Sequence, residues 1–323
     1  MRRRDLLLAA SGGSALLASA GAAAAERSIG WISPESRDVV APILAAFKSG
    51  LAAAATAGAD PIRVVERFAT DGPSTIPGHV DELQRLGVRL IVAQGAATVP
   101  VVRANPSVPV VFGYSGDPIV AGVVKSLSRP GGNATGMTFM AIELMPKRID
   151  MVRTILPGCR KIALLSNTRH AGEEAEIASC QSAVGPHGIE LSVHRLQSEA
   201  DALTALSAAL DGGAQAVIAL SSALMVQQSP RLAAACLERR TPLISGWAAS
   251  AHAGALLTYG PNLRDAYRRV AYFVVRVLAG AQPGNLPIEQ PGTFELVVNR
   301  RTARALGIEI PPVVLAQADE VIE

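Results

Sequence analysis

Residues 129–137 read RPGGNATGM, three glycines and a proline within nine positions. Glycine at that density either cradles a phosphate with backbone amides or lets the chain turn where other residues cannot follow. Dinucleotide cradling needs a tight Gly-x-Gly turn, and no two glycines in this chain stand two residues apart. A P-loop needs Lys-Ser/Thr after its last glycine; here Met137 and Thr138 follow. The stretch therefore reads as backbone that bends. The nearest approach to a G-x-S-x-G nucleophile elbow is GYSGD at 113–117, with Asp117 where glycine is required. The histidines at 79, 170, 187, 194 and 252 form no i,i+4 pair and join no cysteine at metal-ligand spacing. Neither a metal nor another cofactor is expected. Cys159, Cys180 and Cys236 are odd in number and form no CxxC pair, so they read as small buried hydrophobes, with one disulfide as the alternative.

Any site must be positioned by the elements around it, and here short β-branched runs alternate with longer helical patterns. Strands are expected at 28–33, 62–68, 88–94 and 108–114, with helices between them. After the glycine-rich stretch the rhythm restarts with a helix at 142–156. Strands at 161–167, 189–196, 214–222 and 241–247 follow, separated by helices at 171–184, 199–211 and 230–239. This alternation predicts parallel sheets with crossover helices, in two series of one grammar and no residue-level repeat. The last third holds a strand at 254–261, a helix at 262–280, and a connector, AQPGNLPIEQPG, at 281–292. A strand at 294–299 and a helix at 300–307 complete it. So proline-rich a connector predicts a stiff, solvent-facing passage between domains.

The 323 residues suit two domains, and 49% apolar against 18% charged residues marks a globular chain. The opening MRRRD and the uncharged run to Ala25 describe an export signal cut near Ala25, and Arg3-Arg4 suggests the twin-arginine route. An uncleaved membrane anchor is the alternative, made unattractive by the run's Ala, Ser and Gly. Three of the 30 Lys+Arg and one of the 27 Asp+Glu fall in that segment, leaving 27 against 26. A near-neutral mature chain speaks against nucleic-acid binding.

Three stretches carry a specific likeness: DPIVAGVVKSLSRPGGNATGMT (117–138), residues 256–312, and the closing LAQADEVIE. They resemble the ABC transporter substrate-binding protein family, which includes uptake proteins for tryptophan and other aromatic amino acids. The resemblance implies an α/β fold of the type I periplasmic binding protein kind, two Rossmann-like lobes with parallel sheets and a ligand cleft between them. Lobe one is then expected over 26–137 plus about 257–287, and lobe two over 138–256 plus about 292–323. In such a fold the 129–137 stretch leads the chain out of lobe one, with Gly131, Gly132 and Gly136 as permissive hinge glycines. The other crossings are expected near 256–260 and 286–294.

Cleft candidates are residues just past strand ends. In lobe one these are Ser33, Gly95, Thr98, Tyr114, Ser115 and Asp117. The helix start after Gly95 suits a ligand carboxylate, with plain capping as the alternative. Asp117 either holds a ligand ammonium or caps the following turn, and capping is the favoured role. In lobe two the candidates are Asn167, Thr168, Ser221, Ser222 and Trp247, with Tyr259 on the return crossing. Trp247 would stack on a flat ligand, while Trp31 belongs to the core. Relatives that bind amino acids often carry an acid where this chain has Ser221 and Ser222, which weakens an amino-acid assignment.

These features point to an exported, periplasmic, monomeric binding protein, not an enzyme. It would deliver a small organic ligand, an amino acid or an aromatic or carboxylate compound, to an ABC permease and its ATPase. A periplasmic sensor partner of a membrane receptor and a secreted α/β enzyme are the alternatives.

Overall fold

The computed structural model describes residues 28–54, 61–139, 141–168 and 172–323. The export segment expected over 1–25 lies outside them, as does His170. No helix among the described residues is long and apolar enough to cross a membrane.

The first sheet holds β1 (Ser28–Ser33), β2 (Arg63–Phe68), β3 (Ile91–Gln94), β4 (Val110–Tyr114) and β5 (Ala134–Thr138). They are all parallel, in the order β2-β1-β3-β4-β5. The second sheet holds β6 (Lys161–Asn167), β7 (Glu190–Leu196), β8 (Ala216–Ala219), β9 (Leu243–Ser245) and β10 (Leu257–Pro261), joined by β11 (Phe294–Asn299) and β12 (Glu320–Ile322). Its order, β12-β11-β10-β9-β8-β6-β7, repeats the pattern of the first sheet and adds two strands beyond it. Only the β10–β11 pair runs antiparallel among the described strands. The repeat expected from the alternating pattern is thus one of architecture.

Helices α1 (Arg37–Ala54), α2 (Ile76–Arg85) and α3 (Thr98–Arg103) connect the strands of the first sheet. In the second lobe α4 (Met145–Ile155), α5 (Glu173–Val184), α6 (Ala202–Asp211), α7 (Ala223–Glu238) and the short α8 (Ala248–His252) do the same. Helices on both faces explain why the strands read as near-continuous apolar runs. One core packs Trp31, Phe47, Val92 and Val274 on one face of the first sheet, and another packs Ile76, Leu83, Ile91 and Phe112 on the opposite face. The second sheet is sandwiched in the same way, Ile149, Leu164 and Ile218 on one side and Leu165, Leu206 and Val217 on the other. Cys159, Cys180 and Cys236 are buried and free.

Helix α9 (Leu263–Leu278) follows β10 yet packs on lobe one, against α1. Asn262 caps it, its Oδ1 accepting from the Asp265 amide at 3.0 Å. Its Tyr267 ring stands 5.7 Å from that of Trp31, whose other neighbour, Phe47 of α1, is at 5.1 Å. Trp31 is fully buried, as expected of a core residue. The chain closes with α10 (Arg300–Leu306), α11 (Pro312–Leu315) and β12.

Three boundaries differ from the sequence reading. Residues 257–261 belong to the second sheet, because β10 pairs with β9 on one side and β11 on the other, so the crossing follows Pro261. The proline-rich connector is not free in solvent: Thr138 N of β5 donates to Glu289 O, Glu289 N donates to Gly136 O of β5, Ile288 N donates to Leu127 O, and Ile288 is buried. It covers an edge strand that would otherwise be unpaired. Helix α7 starts at Ala223, with Pro230 inside it, instead of at residue 230.

The glycine-rich stretch leads into β5. Gly136 sits within that strand at φ +151°, and a Cβ there would lie 2.0 Å from the Phe112 carbonyl oxygen of β4. Gly131 has φ +72°, and its amide donates to Gly284 O of the connector. Gly132 lies beside it in the same loop.

Candidate functional site

In both sheets the chain reverses its direction of progress after the first strand, between β1 and β3 and between β6 and β8. Such switch points leave a crevice beyond the carboxyl ends of the strands. Here the two crevices face each other and enclose a cavity of about 990 Å³. Lobe one lines it with Pro34, Glu35 and Ser36 after β1, Gln94 at the end of β3 with Gly95 and Ala96 after it, and Tyr114 and Ser115 at the end of β4. Lobe two contributes Asn167 at the end of β6, residues 197–200 after β7, Ser222 before α7 and Trp247 after β9, with Leu224 and Gln227 from α7. The volume suits an organic molecule of amino-acid to nucleoside size, and the wall mixes amides and hydroxyls with one half-buried indole.

Ser33 lies just under this surface, fully buried. Its Oγ is 3.0 Å from Glu35 Oε2 and 3.0 Å from Gln94 Oε1, and it accepts the Glu35 amide at 3.1 Å. Burial pushes the Glu35 carboxyl up to about 7, against the opposing effect of its bonds to Ser33 and the backbone. Beneath it Tyr267 donates to Gly113 O, and burial, reinforced by the Glu35 charge, holds that phenol protonated.

The floor of lobe two is built on a buried arginine. Arg148, in the first turn of α4, is fully inaccessible. Its Nε donates to Tyr259 O at 2.9 Å and its Nη1 to Ser221 Oγ at 3.1 Å. Burial pulls the guanidinium down to about 10, with the Glu176 carboxylate opposing that shift, so it stays charged at neutral pH. Glu176, in the first turn of α5, also accepts from the Ser221 amide at 3.3 Å. A Cβ on Gly246 would fall 2.4 Å from Arg148 Nη2, so only glycine lets the chain pass over the guanidinium toward Trp247. Arg148 thus ties the segment after β8 to the middle of β10 below the cavity.

The structure brings Gly95, Tyr114, Ser115, Asn167, Ser222 and Trp247 to the cavity wall. Ser33, Thr98, Ser221 and Tyr259 are not on that wall. Ser33 and Ser221 are buried supports, Thr98 is fully buried with its hydroxyl unpaired, and Tyr259 stacks on Phe294 at 6.1 Å. Thr168 is exposed and bonds to Leu196 O, away from the wall. Asp117 caps a turn, accepting from the amides of Ile119 (2.7 Å) and Val120 (3.2 Å), and lines a separate small hollow. Ser222 lines the cavity and also caps α7, accepting from Met225 N. Sequence reasoning missed Glu35, Gln94 and Gln227, although the strand-end rule that chose Ser33 points one or two residues further on.

Two α/β lobes of matching topology, facing each other across a shared cavity at their switch points, make up the type I periplasmic binding protein fold. The chain belongs to the ABC transporter substrate binding protein family, whose profile matches residues 30–322. It is 25% identical over 208 residues to a tyrosine-binding protein of Clostridioides difficile (strain R20291). That alignment takes in 64% of this chain and spans 59% of the length of that relative. Among solved structures, it is similar to the ABC domain in complex with L-Trp from Streptococcus pneumonia, at 21% identity and a TM-score of 0.85, covering 91% of this chain and 99% of that one. It is also similar to the ligand-free, open structure of a substrate binding protein with adhesive properties from Clostridium difficile. There the identity is 18% and the TM-score 0.68, over 92% of this chain and 99% of the other.

Proposed function

We propose that this chain is the exported solute-binding component of an ABC importer, working as a monomer in the periplasm. It captures one small organic molecule, an amino acid in the first instance, between its lobes and presents the closed form to a permease and its ATPase. The observation that carries this reading is the cavity of about 990 Å³ walled jointly by the strand ends of both sheets. A ligand touching both walls stabilises the closed arrangement by its differential contacts, and a permease that reads closure then receives only loaded protein. The tyrosine-binding relative and the L-Trp complex of similar fold support an aromatic amino acid as the first candidate, and Trp247 offers it a stacking face. Hinge motion would fall at the three crossings, with Gly131, Gly132 and Gly136 shaping the approach to the first.

A thermal-shift screen of the purified protein against amino acids, aromatic acids, nucleosides and sugars tests this reading. A ligand at about 100 times its Kd adds roughly 2.7 kcal/mol, a shift of several degrees or less for a chain of this length. A shift confined to one chemical class is the expected result. A well-folded protein with flat curves across the panel would contradict it.

A further inference from the structure

Glu35 is set apart among the charged groups of the cavity wall. Arg103 and Glu199 also line it, but both are exposed at the rim, whereas Glu35 is half-buried at the switch point of lobe one. No Lys, Arg or His among the described residues lies within ion-pair distance of its carboxylate. Its Oε2 stands 3.0 Å from Ser33 Oγ, whose single hydrogen is shared among Glu35 Oε2, Gln94 Oε1 and the Glu35 carbonyl oxygen. The ionised carboxylate therefore keeps acceptor capacity for a donor arriving from the cavity.

We propose that Glu35 is the specificity-determining residue of the cleft, its carboxylate receiving a primary ammonium group and so selecting amine-bearing solutes such as α-amino acids. The inference rests on the solute-binding reading above and names the class of solute. An ammonium group brings three donors and a positive charge to a carboxylate that has no cationic partner among the described residues. It also moves the recognising acid to lobe one, at the end of β1, and explains how the serines at 221 and 222 leave an amine-binding site intact.

A consequence is that capture depends on pH. The groups facing Glu35 from the surrounding elements are few. Arg37 at the start of α1 is paired with Glu66 at 2.8 Å, and its neighbour Asp38 is exposed. On β2, Arg67 is held by Glu82 at 2.7 Å, and Asp71 beyond it is exposed. Tyr267 and Tyr114 stay protonated. Burial alone raises Glu35, to about 7, and an ammonium ligand binds its ionised form. Affinity should therefore rise with pH and level off above 7, by about thirtyfold between pH 5.5 and pH 8.

The test is calorimetric titration of L-tyrosine and L-tryptophan, and of their deaminated propionate analogues, into the wild type and the Glu35→Gln variant from pH 5.5 to 8.5. The wild type should bind the amino acids with the rising profile and reject the deaminated analogues. Glu35→Gln should bind the amino acids at least tenfold more weakly at pH 8, with a flat profile. Equal affinity for the deaminated analogues, or a wild-type profile that is flat or falls with pH, would overturn the assignment even if the variant failed to fold. Binding only of sugars or nucleosides would also overturn it while leaving the solute-binding reading standing. Absence of binding to any solute would bring down both.

Discussion

Arg148 Nη1 donates to Ser221 Oγ over 3.1 Å, fixing the first turn of α4 to the segment after β8 beneath the cavity. The guanidinium is fully buried and faces Glu176, so the pair is a cross-brace whose members depend on each other. Arg148→Met should cost about 3–5 kcal/mol, because it leaves a buried carboxylate without the charge that faces it. The Arg148→Met/Glu176→Gln double variant should recover part of that loss. Urea unfolding of the three proteins measures both effects.

Gly136 is the glycine of the 129–137 stretch that the fold cannot replace. Its positive φ and the 2.0 Å approach of a Cβ to Phe112 O act together. Gly136→Ala should lose about 3 kcal/mol or more. Gly132→Ala, where an added Cβ meets nothing within 4 Å, should stay within about 0.5 kcal/mol of wild type. Thermal midpoints distinguish the two.

Trp247 is half-buried in the cavity wall, whereas Trp31 is sealed in the lobe-one core. The intrinsic fluorescence change on ligand binding should therefore vanish in Trp247→Phe. Trp247→Ala should weaken an aromatic ligand about tenfold, the worth of one good stacking contact, with an unchanged unfolding curve. A fluorescence response that survives in Trp247→Phe would place the ligand elsewhere.

Glu35 should also mark the stability of the empty protein. Its folded value, about 7, lies above the ordinary 4.5, so the native state holds a proton that the unfolded chain gives up between those values. Stability from this group is then fully present below about pH 4.5 and lost as pH rises toward 7. Glu35→Gln, which cannot ionise, should melt higher than wild type at pH 8 and alike at pH 4.5. The gap at pH 8 is at most about 3 kcal/mol. Equal melting at both values would contradict it.

The limits of the sequence are visible in particular residues. Strands β1 and β6 and the two-series architecture are legible because buried parallel strands are dense in β-branched residues and set off by helices. Helix α7 was misread because Pro230 resembles a helix start, while the real cap, Ser222, looked like the end of a strand. The strand-end rule found Gly95, Asn167 and Trp247, but it chose Ser33 and Ser221 a residue or two short of the wall, where side chains support it from below. Arg148 is absent from the sequence candidates. Its role depends on Tyr259, 111 positions away, and on Ser221, 73 away, which no local pattern contains.

Calorimetric titration of L-tyrosine and L-tryptophan into the wild type, Gln94→Ala and Asn167→Ala tests most directly whether one solute is held between the lobes. Gln94 stands on the lobe-one wall and Asn167 on the lobe-two wall. The account predicts one ligand per chain and a loss of about fivefold or more in affinity from each substitution, roughly one hydrogen bond apiece. Tight binding untouched by either substitution, or weakened by only one, would contradict capture between the two lobes.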